Sequence, residues 1–158
     1  MLNALPTGAQ VLALLLVGLV AGSMFGIWRG YDPAAFSSAT FLEVHQGAVR
    51  GLNTLLPAMA IAALVLTVLL AFFARTRPTV LWLYIGAALL IAVGGAITRL
   101  ANQPINEQVM AWTAATMPAN WTALRDSWWT WHLARLAATL GAQLLLIAAV
   151  FADRDSAA

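Results

Sequence analysis

The chain has 158 residues, of which 62% are hydrophobic and only 9% are charged. A soluble domain carries about 45–50% apolar and about 25% charged residues, so this composition excludes a water-soluble globule as well as a disordered chain. Eight Arg, no Lys and a formal net charge of +2 provide no dense basic patch, so nucleic acid is not an expected partner. We expect an integral membrane protein made of one domain over residues 1–158, with membrane lipids as partners.

Four apolar stretches are long enough to cross a bilayer as helices, since a hydrocarbon core about 30 Å thick needs roughly 20 helical residues. They are residues 9–28, 55–74, 79–98 and 133–152. A tight turn joins the second and third stretches, whereas the other two connections are long. The sequence therefore predicts an all-α membrane protein, a four-transmembrane-helix bundle with both long connections on one membrane side and both termini on the other.

The first span carries a ridge of small residues. Gly18, Gly22 and Gly26 recur every four residues, a spacing that lets a second helix approach closely. The neighbour is either another span of this chain or a second copy, which would make a homo-oligomer. The first ten residues lack the Lys or Arg that begins a secretory signal peptide, so we interpret this span as a retained helix.

A polar stripe precedes the second span. Its members, spaced three, four and three residues apart, are Glu43, Gln46, Arg50 and Asn53. No proline interrupts residues 37–56, so this segment is predicted to be helical, with Pro57 marking a kink or a fresh start. His45 lies about 200° around that helix from Glu43. We interpret His45 as an interfacial or packing residue.

The loop between the second and third spans indicates an orientation. It contains Arg75 and Arg77 and no acidic residue, which favours a cytoplasmic loop and cytoplasmic termini. The expected location is a multi-pass position in a bacterial inner membrane. A further polar stripe leaves the third span as Arg99, Asn102 and Asn106, where Pro104 predicts a broken helix or a turn.

The longest polar stripe runs from the Trp-rich second connection into the fourth span. At about 100° per residue, its members fall within an arc of about 80°. They are Trp121, Arg125, Trp128, His132, Arg135, Thr139 and Gln143. Charged groups at membrane depth usually face a bundle interior, so the simplest arrangement buries the three stripes against one another. Their excess of guanidinium groups favours an anionic or electron-rich ligand, and a purely structural polar cluster is the alternative.

His132 is the candidate proton acceptor, because imidazole exchanges protons near neutral pH. The alternative is a hydrogen-bonded structural histidine. A catalytic metal site usually needs three ligands, of which at least two are His or Cys. The chain has two His and no Cys, and His45 is placed on the wrong face. We predict no metal site and, in the absence of a glycine-rich phosphate loop, no bound cofactor.

The chain resembles the anthrone oxygenase-like family of small four-helix membrane proteins, mostly labelled as a domain of unknown function. The resemblance covers roughly residues 10–152. It is carried by Asn102-x-Pro104-x-Asn106, by Trp121-x3-Arg125-x2-Trp128-x3-His132-x2-Arg135, and by Gln46-x3-Arg50-x2-Asn53 before Leu56-Pro57-Ala58-Met59. Some fungal members oxidise anthrones to anthraquinones, whereas most bacterial members have no assigned activity.

This resemblance implies a cofactor-independent oxygenase of a lipophilic phenolic or quinone-like compound. A base would remove a carbon-bound proton, and the resulting anion would react with oxygen directly. The polar stripes then supply His132 as the base and Arg135 as an anion stabiliser. The predicted substrate-binding residues are Gln46, Arg50, Asn53, Asn102, Asn106, Arg125 and Trp128.

Two other classes of function stay open. One is a non-enzymatic membrane module that binds a lipid or a hydrophobic ligand, or that partners another membrane protein. The other is a transporter or channel subunit, which the sequence disfavours because no two spans resemble interrupted, repeated halves.

Overall fold

The computed structural model describes residues 4–155, and their side chains from residue 7 to residue 154. Within this part of the chain the structure is helical and contains no strand. The helices are α1 (Ala4–Gly30), α2 (Ser38–Leu52), α3 (Leu55–Phe73), α4 (Pro78–Ile97), α5 (Gln103–Met110) and α6 (Trp121–Asp155). A 3₁₀ turn at Pro33–Ala35 precedes α2, and a π-helical turn at Thr98–Asn102 joins α4 to α5.

Four helical stretches are long and apolar enough to cross a membrane. They are Thr7–Ala35, Leu55–Phe73, Pro78–Met110 and Trp121–Arg154. Their outer faces carry many exposed apolar side chains, among them Ile61, Trp82 and Leu144 at 63%, 68% and 67% exposure. An apolar surface of this extent is suited to lipid. The predicted fold class, an all-α protein with four spans, is confirmed.

The four spans form a closed ring. Helix α1 packs against α3 and α6, and α4 packs against the same two helices. Outside the ring, α2 packs against α5. Because α2 belongs to the first long connection and α5 to the second, both connections lie at the same end of the bundle. We call this the connection end, and we call the end with the 75–78 turn the turn end.

Pro104 does not break the third span. Helix α4, the π turn and α5 run on continuously to Met110, so the predicted break or turn is wrong. Pro104 lies in the first turn of α5, directly after the widened π turn, where the regular i→i−4 bonding pattern is already interrupted. At Pro57, by contrast, a fresh helix does begin, since α2 ends at Leu52 and α3 begins at Leu55.

The glycine ridge of α1 meets another helix at only one described position. A Cβ added at Gly18 would lie 3.7 Å from the amide of Gln143 in α6, whereas Gly22 and Gly26 have nothing within 4 Å. Both of these glycines are exposed, so an oligomer through them stays a prediction. The close approach inside the bundle is between α4 and α6, where a Cβ at Gly86 would lie 3.0 Å from Leu145.

Four polar side chains connect the helices at the turn end. Arg77 forms a salt bridge with Asp153. The Gln10 amide donates to the Asp153 carboxylate at 2.8 Å and to the Tyr84 hydroxyl at 3.0 Å. We call these four residues the turn-end network. It joins α1, α4 and α6, and its one cation has a carboxylate partner.

Candidate functional site

A cavity of about 540 Å³ lies within the helices towards the connection end. Its volume falls within the range of about 300–1,000 Å³ that is typical of small-molecule pockets. Most of its wall is apolar. The polar side chains on the wall are Tyr31, His45, Asn53, Thr98, Arg99, Gln103, Asn106, Arg135 and Thr139. Trp128 and Trp129 of α6 supply flat aromatic surface beside them.

Arg135 is the buried cation of this cavity, with only 8% of its surface exposed. One terminal nitrogen, Nη2, donates to His132 Nδ1 at 3.0 Å, and the other, Nη1, donates to Thr98 Oγ1 at 3.3 Å. Its Nε is buried without a hydrogen-bond partner in the described part of the chain. The guanidinium carbon lies 5.6 Å from the centre of the Trp128 ring.

Within residues 7–154, no carboxylate neutralises Arg135. Among residues 7–154, the salt bridges are Arg77 with Asp153 and Arg125 with Asp126, and neither involves this guanidinium. A buried ion without a counter-charge costs several kcal/mol in effective desolvation. An anion or an electron-rich oxygen that binds at the cavity wall next to Arg135 would therefore be stabilised.

His132 accepts a hydrogen bond from Arg135 but is not part of the cavity wall. Its side chain is fully buried and does not line the cavity. Its Nε2 lies 3.0 Å from the carbonyl oxygen of Met24, which only accepts, so Nε2 carries the proton. Nδ1 then accepts from Arg135. Both ring nitrogens are thus engaged, which leaves the predicted proton acceptor without a free lone pair.

His45 lies on the cavity wall and is 6% exposed. The Trp128 indole N–H, which only donates, bonds to Asn106 Oδ1 at 2.8 Å and so fixes the orientation of that amide. The amide nitrogen donates to Asn53 Oδ1 at 3.0 Å. His45 Nε2 lies 3.1 Å from the same Asn106 Oδ1 and must donate to it. The lone pair of His45 is therefore on Nδ1.

The environment of His45 keeps its ring neutral. Burial lowers the pKa of His45 from 6.5 to about 4, the hydrogen bond to Asn106 opposes this change, and the positive charge of Arg135 adds to it. The ring packs against Phe41 at 5.1 Å and edge-on against Trp128 at 4.9 Å, measured between ring centres. A neutral imidazole with a free lone pair thus shares a cavity with an uncompensated guanidinium.

The family model described as anthrone oxygenase matches residues 46–145, well over half of the chain. The chain belongs to the anthrone oxygenase family. The resemblance predicted from the sequence motifs is thereby confirmed. Comparison with the curated proteins and with the solved structures gives no match.

In this member of the anthrone oxygenase family, four of the predicted site residues line the cavity. They are Asn53, Asn106, Trp128 and Arg135. Asn102 stands behind them: it is fully buried in the π turn and donates to the Trp128 carbonyl at 3.0 Å. It helps to hold α6 in place, and its Oδ1 has no partner in the described chain.

Three residues predicted to bind substrate bond elsewhere instead: Gln46 and Arg125 link the two connections, and Arg50 bonds within α2. Gln46 donates to the carbonyls of Val109 and Trp112 at 2.9 and 3.1 Å, and Arg50 donates to the Gln46 side chain at 3.1 Å. Arg125 bonds to Asp126 at 2.8 Å and to the carbonyl of Pro33 at 3.3 Å. None of the three lines the cavity of this family member.

The face of α2 that turns inward carries His45, whereas Glu43 and Arg50 are exposed. Phe41 and Leu42, the other buried residues of α2, pack against Ile105 and Val109 of α5. The interpretation of His45 as a packing residue is therefore incomplete. The 41-to-45 spacing of an aromatic residue and a histidine, one helical turn apart, is the sequence signal that indicates this face.

Residues 7–154 contain no group of three or more His, Cys, Asp or Glu side chains that could hold a metal ion. His132 stacks on the Trp128 ring and His45 meets the same ring edge-on, with ring centres 5.0 and 4.9 Å from it.

Proposed function

We propose that this protein binds a lipophilic phenolic or anthrone-like compound in the cavity and promotes its reaction with molecular oxygen. The observation that carries the proposal is Arg135, a guanidinium that is buried on the wall of a mainly apolar cavity and has no acidic partner among the described side chains. A flat ring system with one acidic oxygen satisfies both features, since the ring suits the apolar and aromatic walls and the oxygen suits the guanidinium. Membership of the anthrone oxygenase family supports the oxygen chemistry.

We assign the role of base to His45 rather than to His132. His45 lines the cavity and keeps a lone pair on Nδ1, whereas both nitrogens of His132 are engaged with Met24 and Arg135. A base with a pKa of about 4 removes a carbon-bound proton only if the resulting anion is strongly stabilised. Arg135 supplies that stabilisation, and the anion in turn offsets the positive charge that helps to lower the pKa of His45.

The reaction balances with oxygen as the oxidant. The methylene group of the substrate, R₂CH₂, loses a proton to His45 and becomes an enolate. The enolate transfers an electron to O₂, the two fragments combine, and a hydroperoxide R₂CH–OOH forms after the proton is returned. Loss of water from it gives the ketone, so that R₂CH₂ and O₂ yield R₂C=O and H₂O.

The test is oxygen uptake with 1,8-dihydroxyanthrone by the protein in lipid nanodiscs, with empty nanodiscs subtracted for spontaneous oxidation. We expect Arg135→Gln and His45→Gln each to lower the rate at least about 100-fold, the range for removal of a general base or of an anion-stabilising group. Arg75→Gln at the turn end is the matched control and should change it less than about twofold, because Arg75 is exposed and far from the cavity. A wild-type rate equal to that of empty nanodiscs would refute the oxygenase proposal, and ligand binding without oxygen uptake would indicate a binding module.

We also propose that the turn end and both termini face the cytoplasm of a bacterial inner membrane. Arg75 and Arg77 in the short loop, which contains no acid, support this orientation. The chain has no Cys, so a single Cys at Thr76 reports the side directly. We expect a membrane-impermeant maleimide to label it only after the membrane is opened; labelling in intact cells would contradict the orientation.

A further inference from the structure

The cavity has a side wall formed by α3 and α4, and this wall is not sealed from the bilayer. Ile61 of α3 lines the cavity while 63% of its surface is exposed. Opposite it, Ala92 and Gly95 of α4 line the cavity and are also exposed. These positions lie inside two membrane-spanning helices, so the opening faces hydrocarbon rather than water.

A shallow apolar groove of about 320 Å³ continues from this opening along the outer face of α3 and α4. Its lining residues are Leu64, Val68, Ala71, Ile85, Ala88, Leu89 and Ala92. Leu64 and Ala92 also line the cavity, so the groove adjoins the cavity at these two residues. From Ile61 to Val68 the path along α3 spans about 10 Å at about 1.5 Å per residue, which accommodates an alkyl chain of medium length.

Polarity changes along this combined space. The hydrogen-bonding groups His45, Asn106 and Arg135 belong to the cavity, and every residue that lines the groove is apolar. An amphiphile with a polar ring at one end and a hydrocarbon tail at the other matches this order. A ligand without a tail would leave the groove to an acyl chain of the surrounding lipid.

We propose that the natural ligand carries a hydrocarbon tail that lies in the groove between α3 and α4, and that it enters the cavity sideways from the bilayer. The proposal rests on the proposed function for the ring end of the ligand, since it places that ring beside Arg135 and His45. It adds the tail, its position and the direction of access.

The probes are 1,8-dihydroxyanthraquinone, the stable product expected from 1,8-dihydroxyanthrone, and the same ring with a dodecyl chain on an outer carbon. Binding to the protein in nanodiscs is measured by titration calorimetry, with affinities expressed relative to probe already dissolved in empty nanodiscs. We expect the tail to increase wild-type affinity at least tenfold.

Ala88→Phe is the informative variant, because Ala88 lines the groove but not the cavity. It should reduce the advantage of the tail to less than about threefold and leave the ring-only probe unchanged. Ala96→Phe on the same helix is the matched control, because Ala96 is exposed and lines neither space. Val68→Trp, a substitution at a groove residue that is 53% exposed, repeats the test if Ala88→Phe does not fold.

The outcomes separate the two proposals. If the ring-only probe binds and the tail adds nothing, or if Ala88→Phe and Val68→Trp retain the full advantage of the tail, this inference is wrong and the proposed function stands. If the ring-only probe does not bind the wild type, or binds Arg135→Gln equally well, the proposed function fails and this inference fails with it.

Discussion

The turn end and the connection end of the bundle differ in whether the charge of one arginine is paired with a carboxylate. In the turn-end network, Arg77 has a carboxylate partner in Asp153, and Gln10 bridges Asp153 to Tyr84. At the connection end, Arg135 is more deeply buried, lies beside a cavity, and has no carboxylate partner in the part of the chain whose side chains are described. The charges of Arg77 and Asp153 balance each other, whereas Arg135 lacks a negative counter-charge among the described side chains.

This difference separates a structural role from a functional one. A satisfied polar network links helices and gains nothing from a further partner. A buried cation without a counter-charge raises the free energy of the folded protein, because it has lost its hydration. A ligand that brings a negative charge next to this cation lowers that free energy, and the difference contributes to binding. Burial of an ionised group is therefore a weaker indicator of function than the absence of its counter-charge.

Supplying the missing charge from the protein should convert the connection end into a second closed network. Thr98→Asp places a carboxylate next to Arg135, since the Thr98 hydroxyl already accepts from it at 3.3 Å. We expect affinity for 1,8-dihydroxyanthraquinone to fall at least about 100-fold, while the melting temperature is unchanged or higher. Thr98→Asn, which has the same shape without the charge, should stay within about fivefold of the wild type. Equal losses in both variants would show that the charge is not what matters.

The neutral state of His45 should make the stability depend on pH. Because burial lowers the pKa of His45 from 6.5 to about 4, the unfolded chain binds a proton between these two values that the folded chain does not. The stability is then highest above pH 6.5 and decreases as the pH is lowered to about 4. Below pH 4, His45 does not lower the stability any further. We expect a loss of roughly 3 kcal/mol over this interval.

Thermal unfolding in detergent across this pH range provides the measurement. His45→Gln keeps a donor for Asn106 but does not titrate, so its pH dependence should be flatter than that of the wild type. Carboxylates that titrate in the same range cancel in the difference between the two proteins. A variant with the same slope as the wild type would contradict the assignment.

Removing the group that orients His45 should have a smaller effect on turnover. Trp128→Phe keeps an aromatic ring but loses the indole N–H that fixes the Asn106 amide at 2.8 Å. The amide can then turn over and release His45 from its single tautomer. We expect kcat for 1,8-dihydroxyanthrone to fall about tenfold with little change in KM, because the cavity keeps its wall.

The control for this variant is Trp131→Phe, since Trp131 is 44% exposed and does not line the cavity. It should keep the wild-type kcat. If Trp128→Phe raises KM and leaves kcat unchanged, the indole acts as a binding surface rather than as a positioning group.

The smallest effect is expected at the closed end. Asp153→Asn removes the carboxylate partner of Arg77, whose side chain is 35% exposed and therefore regains water. We expect a loss of stability of about 1 kcal/mol, as for a partly exposed ion pair, with ligand binding unchanged. A melting temperature measured in parallel with probe affinity checks both parts, and a weaker affinity would show that the two ends are coupled.

The spans were predictable because apolar length is a local property of the sequence. The stripe on α6 also puts Trp128 and Arg135 on one helix face, since a helix of about 3.6 residues per turn fixes which residues share a face, and both residues line the cavity. Neither inference needs knowledge of the rest of the fold.

The roles of the two histidines could not be predicted in this way. His132 is engaged by the carbonyl of Met24, a contact between α1 and α6 that no spacing along the chain reveals. On α2, the polar stripe was expected to face inward, yet this helix buries Phe41 and His45 and exposes Glu43 and Arg50. The helix lies outside the ring of spans, so its polar side remains outward and its apolar side carries the histidine inward.

The π turn at Thr98–Asn102 sets the rotation of α5 relative to α4. A π turn holds about one residue more than an α turn, so everything after it is rotated by about 100° relative to a regular continuation of α4. Asn106 meets His45 and Trp128 only in this shifted phase. Deleting Leu100, which is exposed and does not line the cavity, would preserve every side chain of the site and still misalign it. The number of residues in the π turn is therefore as much a determinant of the site as their identity.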